Sequence, residues 1–109
     1  MTASVRLFVF GTLLDDAQVR AVTGRVFPRR PARLEGYRRE WPPRGYPYLV
    51  ADPDAAVDGA LLEEIDPIAL AALDAYEDEG RLYVRRDAVV TVDGAPVHCQ
   101  LYQALQPPG

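Results

Sequence analysis

The hydrophobic and polar positions in the first part of the chain predict a strand, a tight turn and a short helix. Residues 5–10 are almost all β-branched, aromatic or aliphatic, which is typical of a strand buried on both faces. Gly11 lets the backbone turn after this strand and leaves its amides open to a small ligand. A helix is predicted over residues 17–22, with Asp15 or Asp16 as its N-cap. Such a corner can bind an anion, although the local pattern by itself favours a plain turn.

The middle of the chain is punctuated by proline and glycine, which separate short apolar segments. Three strands are predicted here, over residues 32–37, 48–51 and 57–63. The segments between them predict a rigid aromatic loop at 41–47 and a turn at 52–54. Gly59 lies within the third of these strands, where a glycine indicates a bulge or the close approach of another backbone.

A second helix is predicted to begin at Asp66 and Pro67. Aspartate is a preferred N-cap, and proline suits the first helical position because its missing N–H group would have no partner there. The helical pattern continues to Tyr76 or Glu77 and ends before the next glycine.

The last part of the chain predicts a β-hairpin. Residues 83–92 and 97–105 have strand character, and the Asp-Gly pair at 93–94 favours a tight connection. With about six strands and two short helices, the expected fold class is α+β, with a curled or closed sheet that hides its edges. We expect a single domain over residues 1–109, with a tail at 106–109.

Composition narrows the classes of function. The chain has 109 residues, a net charge of −4 and one cysteine, Cys99, so no internal disulfide can form and a reducing cytoplasm is expected. No apolar run approaches the roughly 18 residues that span a membrane, and the negative charge argues against a nucleic-acid partner. All 12 basic residues are arginines, which excludes lysine nucleophiles. The one serine, Ser4, is poorly placed to act as a nucleophile.

An acidic cluster at the end of the second predicted helix contains one carboxylate that points inward. The cluster consists of Asp74, Glu77, Asp78 and Glu79, and the apolar stripe of the helix consists of Ala69, Leu70, Leu73 and Tyr76. Glu77 follows Leu73 by four residues and Leu70 by seven, so it falls within this stripe. The other acidic residues fall at its edge or beyond it.

Burial of Glu77 would raise its pKa, and the negative end of the helix dipole acts in the same direction. A carboxylate with a raised pKa is a good general base near neutral pH. The same position is equally consistent with a buried ion pair to Arg81, Arg85 or Arg86.

Two other kinds of site receive less support. His98 and Cys99 are adjacent in a predicted strand and therefore face opposite ways, so they form neither a metal pair nor a nucleophilic dyad. We expect no metal site, and Cys99 is expected to be a small core residue.

An arginine-rich stretch interleaved with aromatics could bind single-stranded nucleic acid, although a solvated surface is favoured. It contains Arg25, Arg29, Arg30, Arg33, Arg38, Arg39 and Arg44, with Tyr37, Trp41, Tyr46 and Tyr48 nearby.

Five short motifs occur along nearly the whole chain in one characteristic order. They are Phe10-Gly11-Thr12-Leu13, Tyr46-Pro47, Val57-Asp58-Gly59-Ala60-Leu61, Leu73-Asp74-Ala75-Tyr76-Glu77 and Tyr83-Val84-Arg85. Each is weak alone, but the ordered set resembles the γ-glutamylcyclotransferase-like family, nearest its small γ-glutamylamine cyclotransferase branch. That family opens with a strand ending in Tyr-Gly-Thr-Leu and has a Leu-Asp-x-Tyr/Phe-Glu helix end.

The resemblance implies a small mixed β-barrel with flanking helices and a pocket at the barrel mouth. It also implies an activity, in which the free α-amine of a γ-glutamyl group attacks its own γ-carbonyl and releases 5-oxoproline and an amine or peptide. The partner is then a small-molecule γ-glutamyl substrate, and no cofactor is needed, because both reacting groups belong to one molecule.

Individual roles follow from the same resemblance. Glu77 would be the general acid/base, and the amides around Gly11, Thr12 and Leu13 would hold the substrate carboxylate or the developing oxyanion. The residues implied to bind substrate are Phe10, Gly11, Thr12, Leu13, Tyr46, Tyr83 and Arg85. Phe10 departs from the family, which has tyrosine there. A non-catalytic protein that binds a small carboxylate or amino acid in the same pocket is the alternative.

Overall fold

A computed structural model describes residues 4–41 and 47–104. Within these ranges the chain forms five strands, two α-helices and one 3-10 turn. In order they are β1 (Val5–Val9), the 3-10 turn (Thr12–Leu14), α1 (Asp16–Thr23), β2 (Arg29–Glu40), β3 (Tyr48–Ile65), α2 (Pro67–Glu77), β4 (Tyr83–Val92) and β5 (Ala95–Ala104). Neither described helix has the length and apolar character needed to cross a membrane.

The five strands close into a ring in the order β1-β3-β2-β4-β5. Four of the neighbouring pairs are antiparallel, whereas β1 and β5 run parallel and are in register at Leu7 and Gln100. The α+β class and the small mixed barrel are therefore confirmed. Closure removes the exposed edges that an open sheet of this size would have.

The prediction of about six strands was wrong by one, because residues 48–51 and 57–63 belong to the single strand β3. Its pairing with β2 passes from Ala51 opposite Tyr37 to Ala56 opposite Glu35. The predicted turn at 52–54 is therefore an irregularity within one strand, where the Asp54 amide donates to the Asp52 side chain at 3.1 Å. Strand β2 pairs with β3 both before and after this segment, and this is a tertiary influence that local sequence does not contain.

The hydrophobic core has two parts that share β1. One part fills the ring and receives side chains from all five strands, among them Phe8 of β1, and it also contains Phe10, which directly follows β1. The other lies between the sheet and the two helices and includes Leu7 and Val9 of β1. Successive residues of a strand point to opposite faces, so β1 is apolar on both sides, as its sequence predicts.

At Gly59 of β3 the backbone of another chain segment comes very close. A Cβ atom there would lie 2.3 Å from the Val9 carbonyl oxygen and 2.8 Å from the Phe8 ring. The predicted close approach is confirmed, and it lets β1 and β3 pack tightly just before the turn that follows β1.

Helix α2 begins and ends where the sequence predicts. The Asp66 carboxylate accepts a hydrogen bond from the Ala69 N–H group at 2.8 Å, and Pro67 occupies the first turn. Ala69 and Leu73 are buried against the sheet, so the same face carries Glu77 inward at the last helical position.

The β4–β5 hairpin is also confirmed, with a shorter connection than expected. Val92 pairs with Ala95, so Asp93 and Gly94 alone form the turn. Strand β5 thus begins two residues earlier than predicted, at Ala95 rather than residue 97.

Candidate active site

An open pocket lies beside the end of β1 and brings together residues from distant parts of the chain. Its volume is about 380 Å³, open mouth included. It is lined by residues 8–13 together with Pro47, Glu77, Tyr83 and Tyr102. Of the predicted site residues, Phe10, Gly11, Thr12, Leu13, Glu77 and Tyr83 all line it. Tyr46 lies outside the described residues.

Glu77 is half-buried in this pocket at the end of α2. In the described part of the chain its carboxylate has no hydrogen-bond or ion-pair partner. Burial raises its pKa from 4.5 to about 7. Burial removes water that would solvate the ionised carboxylate, and no cation among the described residues compensates for that loss. A group of this kind can accept and return a proton near neutral pH.

The three arginines that could have paired with Glu77 are engaged elsewhere. Arg81 donates to Asp78 at 2.7 Å, Arg85 to Asp74 at 2.9 Å, and Arg86 to Gln103. The alternative of a structural ion pair at Glu77 is therefore not what the described residues form.

The turn after β1 forms another part of the pocket lining. The Leu14 N–H donates to the Gly11 carbonyl at 3.0 Å, and the Asp15 N–H to the Thr12 carbonyl at 3.2 Å. The N–H groups of Gly11, Thr12 and Leu13 have no acceptor among the described residues, as expected at the start of a helical turn. This turn therefore offers hydrogen-bond donors to a ligand.

Side chains from neighbouring elements hold this turn in place. Arg39 Nη1 donates to the Phe10 carbonyl at 2.7 Å, and Arg29 Nη1 donates to the Leu14 carbonyl at 2.6 Å. A Cβ atom at Gly11 would lie 3.0 Å from Pro47 Cγ, so a larger residue would disturb the contact with the β2–β3 hairpin. The carbonyls of the turn are thus occupied while its first amides stay available.

A hydroxyl pair connects this turn to α2. Thr12 Oγ1 and the Tyr76 hydroxyl are 2.9 Å apart, and Tyr76 precedes Glu77 in α2. A direct contact therefore links the turn after β1 to the end of α2, where Glu77 lies.

Tyr102 of β5 lines the pocket, and sequence reasoning missed it. Its buried hydroxyl donates to Asp74 Oδ1 at 2.6 Å. Burial and this hydrogen bond raise the pKa of the phenol well above its ordinary value. The hairpin register, which places Tyr102 opposite Arg85, was the one signal that could have linked it to the predicted site.

Arg85, which the sequence suggested as a substrate-binding residue, lies outside the pocket lining. Its Nε donates to Asp74 Oδ1 at 2.9 Å and its Nη2 to Asp74 Oδ2 at 3.2 Å. Arg85 therefore supports the carboxylate that holds Tyr102. The structure gives it an indirect connection to the pocket.

Phe10 is buried and belongs to the core that fills the ring, while its backbone borders the pocket. Its ring lies 6.1 Å from that of Phe8, at an interplanar angle of 26°. An apolar ring fits this environment, because a buried hydroxyl would need a partner.

The predicted features outside the pocket behave as ordinary structure. His98 is exposed and Cys99 is buried, so they face opposite ways, and burial raises the pKa of the Cys99 thiol to about 11. Among residues 4–41 and 47–104, no group of three or more His, Cys, Asp or Glu side chains is placed to hold a metal ion.

The arginine-rich stretch is largely engaged within the chain. Its described arginines contact acidic side chains or a carbonyl: Arg25 with Asp66, Arg29 with Asp16, Arg30 with Glu63, Arg33 with Asp58, Arg38 with Glu40 and Asp52, and Arg39 with the Phe10 carbonyl. Arg44 lies outside the described residues. These contacts favour a solvated protein surface over a nucleic-acid platform, and the absence of a nucleic-acid partner stays a prediction.

Comparison with known proteins gives one family and a set of shared folds. The family model for "Gamma-glutamyl cyclotransferase, AIG2-like" matches residues 7–108. No curated protein matches the chain.

Several solved structures share the fold. A solution structure from Arabidopsis thaliana has a TM-score of 0.82 at 24% identity, covering 94% of this chain and 69% of that one. A structure named gamma-glutamyl cyclotransferase gives 0.81 at 18% identity, covering 94% and 67%. An AIG2-like protein from Mus musculus gives 0.77 at 24% identity, covering 94% and 78%. The chain thus spans about two thirds to three quarters of the length of these structures, and at such identities the similarity shows the fold.

Proposed function

The chain belongs to the gamma-glutamyl cyclotransferase, AIG2-like family, and on this premise we propose that it converts a γ-glutamyl amine or peptide to 5-oxoproline and a free amine. The reaction is an intramolecular aminolysis with Glu77 as the general acid/base. The family predicted from the ordered motifs is confirmed, whereas its γ-glutamylamine branch stays a prediction.

The observation that carries this proposal is the Glu77 carboxylate, which has a pKa raised to about 7 and no partner among the described residues, in one pocket with turn amides that likewise have no acceptor there. The reaction needs a base for the α-ammonium and donors for a negative oxygen. Glu77 can supply the base, and Gly11, Thr12 and Leu13 can supply the donors. Residues that line one pocket can thus meet both requirements.

The proton and electron pairs balance without any external reactant. Glu77 takes one proton from the α-ammonium, and the freed nitrogen lone pair forms a bond to the γ-carbon. The γ-carbonyl becomes an oxyanion, which the turn amides stabilise. When the oxyanion collapses, the bond to the leaving nitrogen breaks, and Glu77 returns its proton to that nitrogen. The ring nitrogen still carries two protons, and it gives one of them, through the regenerated Glu77 carboxylate, to the released amine, which leaves as an ammonium ion.

In the proposed reaction, the main role of the protein is to hold the γ-glutamyl substrate in a folded-back conformation. Nucleophile and electrophile are joined by the substrate chain, so their high effective concentration is built in. The chemistry therefore needs no cofactor. A cytoplasmic location, expected from the single cysteine, is part of this proposal.

The test is 5-oxoproline formation from a panel of γ-glutamyl amines and dipeptides. Glu77→Gln keeps the size of the side chain and removes the base, so we expect turnover to fall by about 10² to 10⁴-fold. Glu35→Gln makes the same chemical change at an exposed position of β2 and should leave turnover unchanged.

Two outcomes would contradict the proposal. One is equal turnover in the wild type and Glu77→Gln. The other is a wild type that forms no 5-oxoproline from any substrate while γ-glutamyl compounds still raise its melting temperature. That second result would favour the non-catalytic ligand-binding protein.

A further inference from the structure

We propose that the Tyr102 hydroxyl oxygen binds the α-ammonium group of the γ-glutamyl substrate, with Asp74 and Arg85 as the residues that position it. This inference rests on the proposed function and adds a binding contact for the nucleophile. It follows from where the single proton of Tyr102 points.

A phenol has one O–H donor, and that of Tyr102 is already used. It donates to Asp74 Oδ1 at 2.6 Å, a short distance typical of a hydrogen bond to a charged acceptor. Asp74 is itself held by two donors of Arg85, at 2.9 Å and 3.2 Å. This fixed carboxylate keeps the proton of Tyr102 pointing away from the pocket.

Tyr102 therefore presents only oxygen lone pairs to a ligand. The raised pKa keeps the phenol protonated at neutral pH, so it acts as an acceptor and does not compete with Glu77 for the proton. Donation to a carboxylate also polarises the hydroxyl and makes its oxygen a stronger acceptor.

The pocket lining combines hydrogen-bond acceptors with donors. Glu77 and the Tyr102 oxygen are acceptors, and they lie within electrostatic reach of each other. The N–H groups of the turn at residues 11–13 are donors that have no acceptor in the described part of the chain. A substrate with an ammonium at one position and a carboxylate or carbonyl at another can satisfy both kinds of group in one orientation.

That orientation serves the proposed reaction. An ammonium has three N–H donors, so it can donate to Tyr102 and Glu77 at the same time. While one proton moves to Glu77, the contact with Tyr102 keeps the nitrogen in place for ring closure. Tyr102 thus binds the nucleophile, and Asp74 and Arg85 act through it.

The experiment compares two ligands that differ in the α-amine alone. A γ-glutamyl amide carries the amine, and the matching glutaryl amide lacks it. Their affinities are measured by calorimetry in a Glu77→Gln background, where turnover does not interfere. Without Tyr102 as acceptor, the preference for the γ-glutamyl ligand should fall about tenfold or more in Tyr102→Phe.

Tyr37→Phe is the matched control, since it removes a hydroxyl from a tyrosine outside the pocket lining and should leave the preference unchanged. Asp74→Asn should reduce the preference in the same direction. The double variant with Asp74→Asn and Tyr102→Phe should lose little more preference than Tyr102→Phe alone, because both substitutions act on the same contact with the ammonium. If Tyr102→Phe does not fold, Asp74→Asn carries the test.

This inference would be overturned if Tyr102→Phe kept the full preference for the γ-glutamyl ligand, whatever the turnover of the wild type. If Asp74→Asn carries the test, an unchanged preference in that variant would overturn it in the same way. An equal loss of affinity for both ligands would also overturn it, because that pattern indicates a deformed pocket. Failure of the proposed function has a different signature: binding with the γ-glutamyl preference but without 5-oxoproline from the wild type.

Discussion

The Glu77 carboxylate is half-buried and has no cation beside it in the described part of the chain, so its protonation depends on whether the chain is folded. Its pKa is raised from 4.5 to about 7 on folding. Below pH 4.5 both states hold the proton, and between these values the folded state keeps a proton that the unfolded state releases. Stability contributed by the protonated form is therefore lost as the pH rises through this window.

We expect Glu77→Gln to be more stable than the wild type above neutral pH, by about 1 to 3 kcal/mol with allowance for partial exposure. The difference should shrink towards acidic pH. Urea unfolding of both proteins across this range measures it, and the subtraction cancels the other titrating groups. A constant difference between acidic and alkaline pH would contradict the assigned burial.

The same carboxylate sets the pH dependence of the proposed reaction. A general base must be ionised in the free enzyme, so kcat/KM should rise with pH through an apparent pKa of about 7. Initial rates of 5-oxoproline formation, measured across about pH 5 to 9, give the kcat/KM profile and its apparent pKa. A profile that rises through the ordinary range of an exposed glutamate would show that Glu77 is not the base.

Single residues differ in how far the sequence could predict them. Glu77 was predictable because helical periodicity alone places it on the buried face of α2. Tyr102 was not, because its place in the pocket depends on β5 lying next to β1, a contact between the two ends of the described chain. Arg85 was predicted to bind substrate, but it lies near the pocket without lining it and instead donates to Asp74.

At the level of secondary-structure elements, the tight contact between β1 and β3 at Gly59 should be sensitive to substitution. Gly59→Ala would place a Cβ atom 2.3 Å from the Val9 carbonyl oxygen, and backbone cannot move aside as a side chain can. We expect a loss of about 3 kcal/mol or more in unfolding free energy. Gly24→Ala is the control, because a Cβ there meets nothing within 4 Å.

At Gly24 the left-handed backbone, with φ of 78°, should still cost about 1 kcal/mol. Denaturant unfolding of the two variants separates this conformational cost from the steric one. Equal losses in the two variants would show that β1 and β3 can move apart at Gly59.

The elements that the sequence located well are those with local end signals. Helix α2 has a capping aspartate and a proline, and the β4–β5 hairpin has an Asp-Gly turn. Strand β3 was divided in error, since residues 52–54 carry turn signals that pairing with β2 overrides. Its continuity comes from partners that are distant in sequence.

For the whole molecule, the charge distribution predicts no affinity for nucleic acid. The net charge is −4, and the described arginines of the 25–44 stretch contact carboxylates or a carbonyl. Fluorescence anisotropy with labelled oligonucleotides should therefore show no binding at physiological salt. Affinity that falls steeply with added salt would contradict this, because it is the signature of counterion release.

The barrel closes where its first and last strands meet, and this pairing is short. Strands β1 and β5 are in register at Leu7 and Gln100, and residues that follow this pair in the chain, 8–10 and Tyr102, line the pocket. The cavity therefore lies beside the pairing that closes the ring. A ligand there would contact residues next to both strands, so ligand binding and barrel closure should be linked equilibria, and ligand should slow amide exchange along both strands.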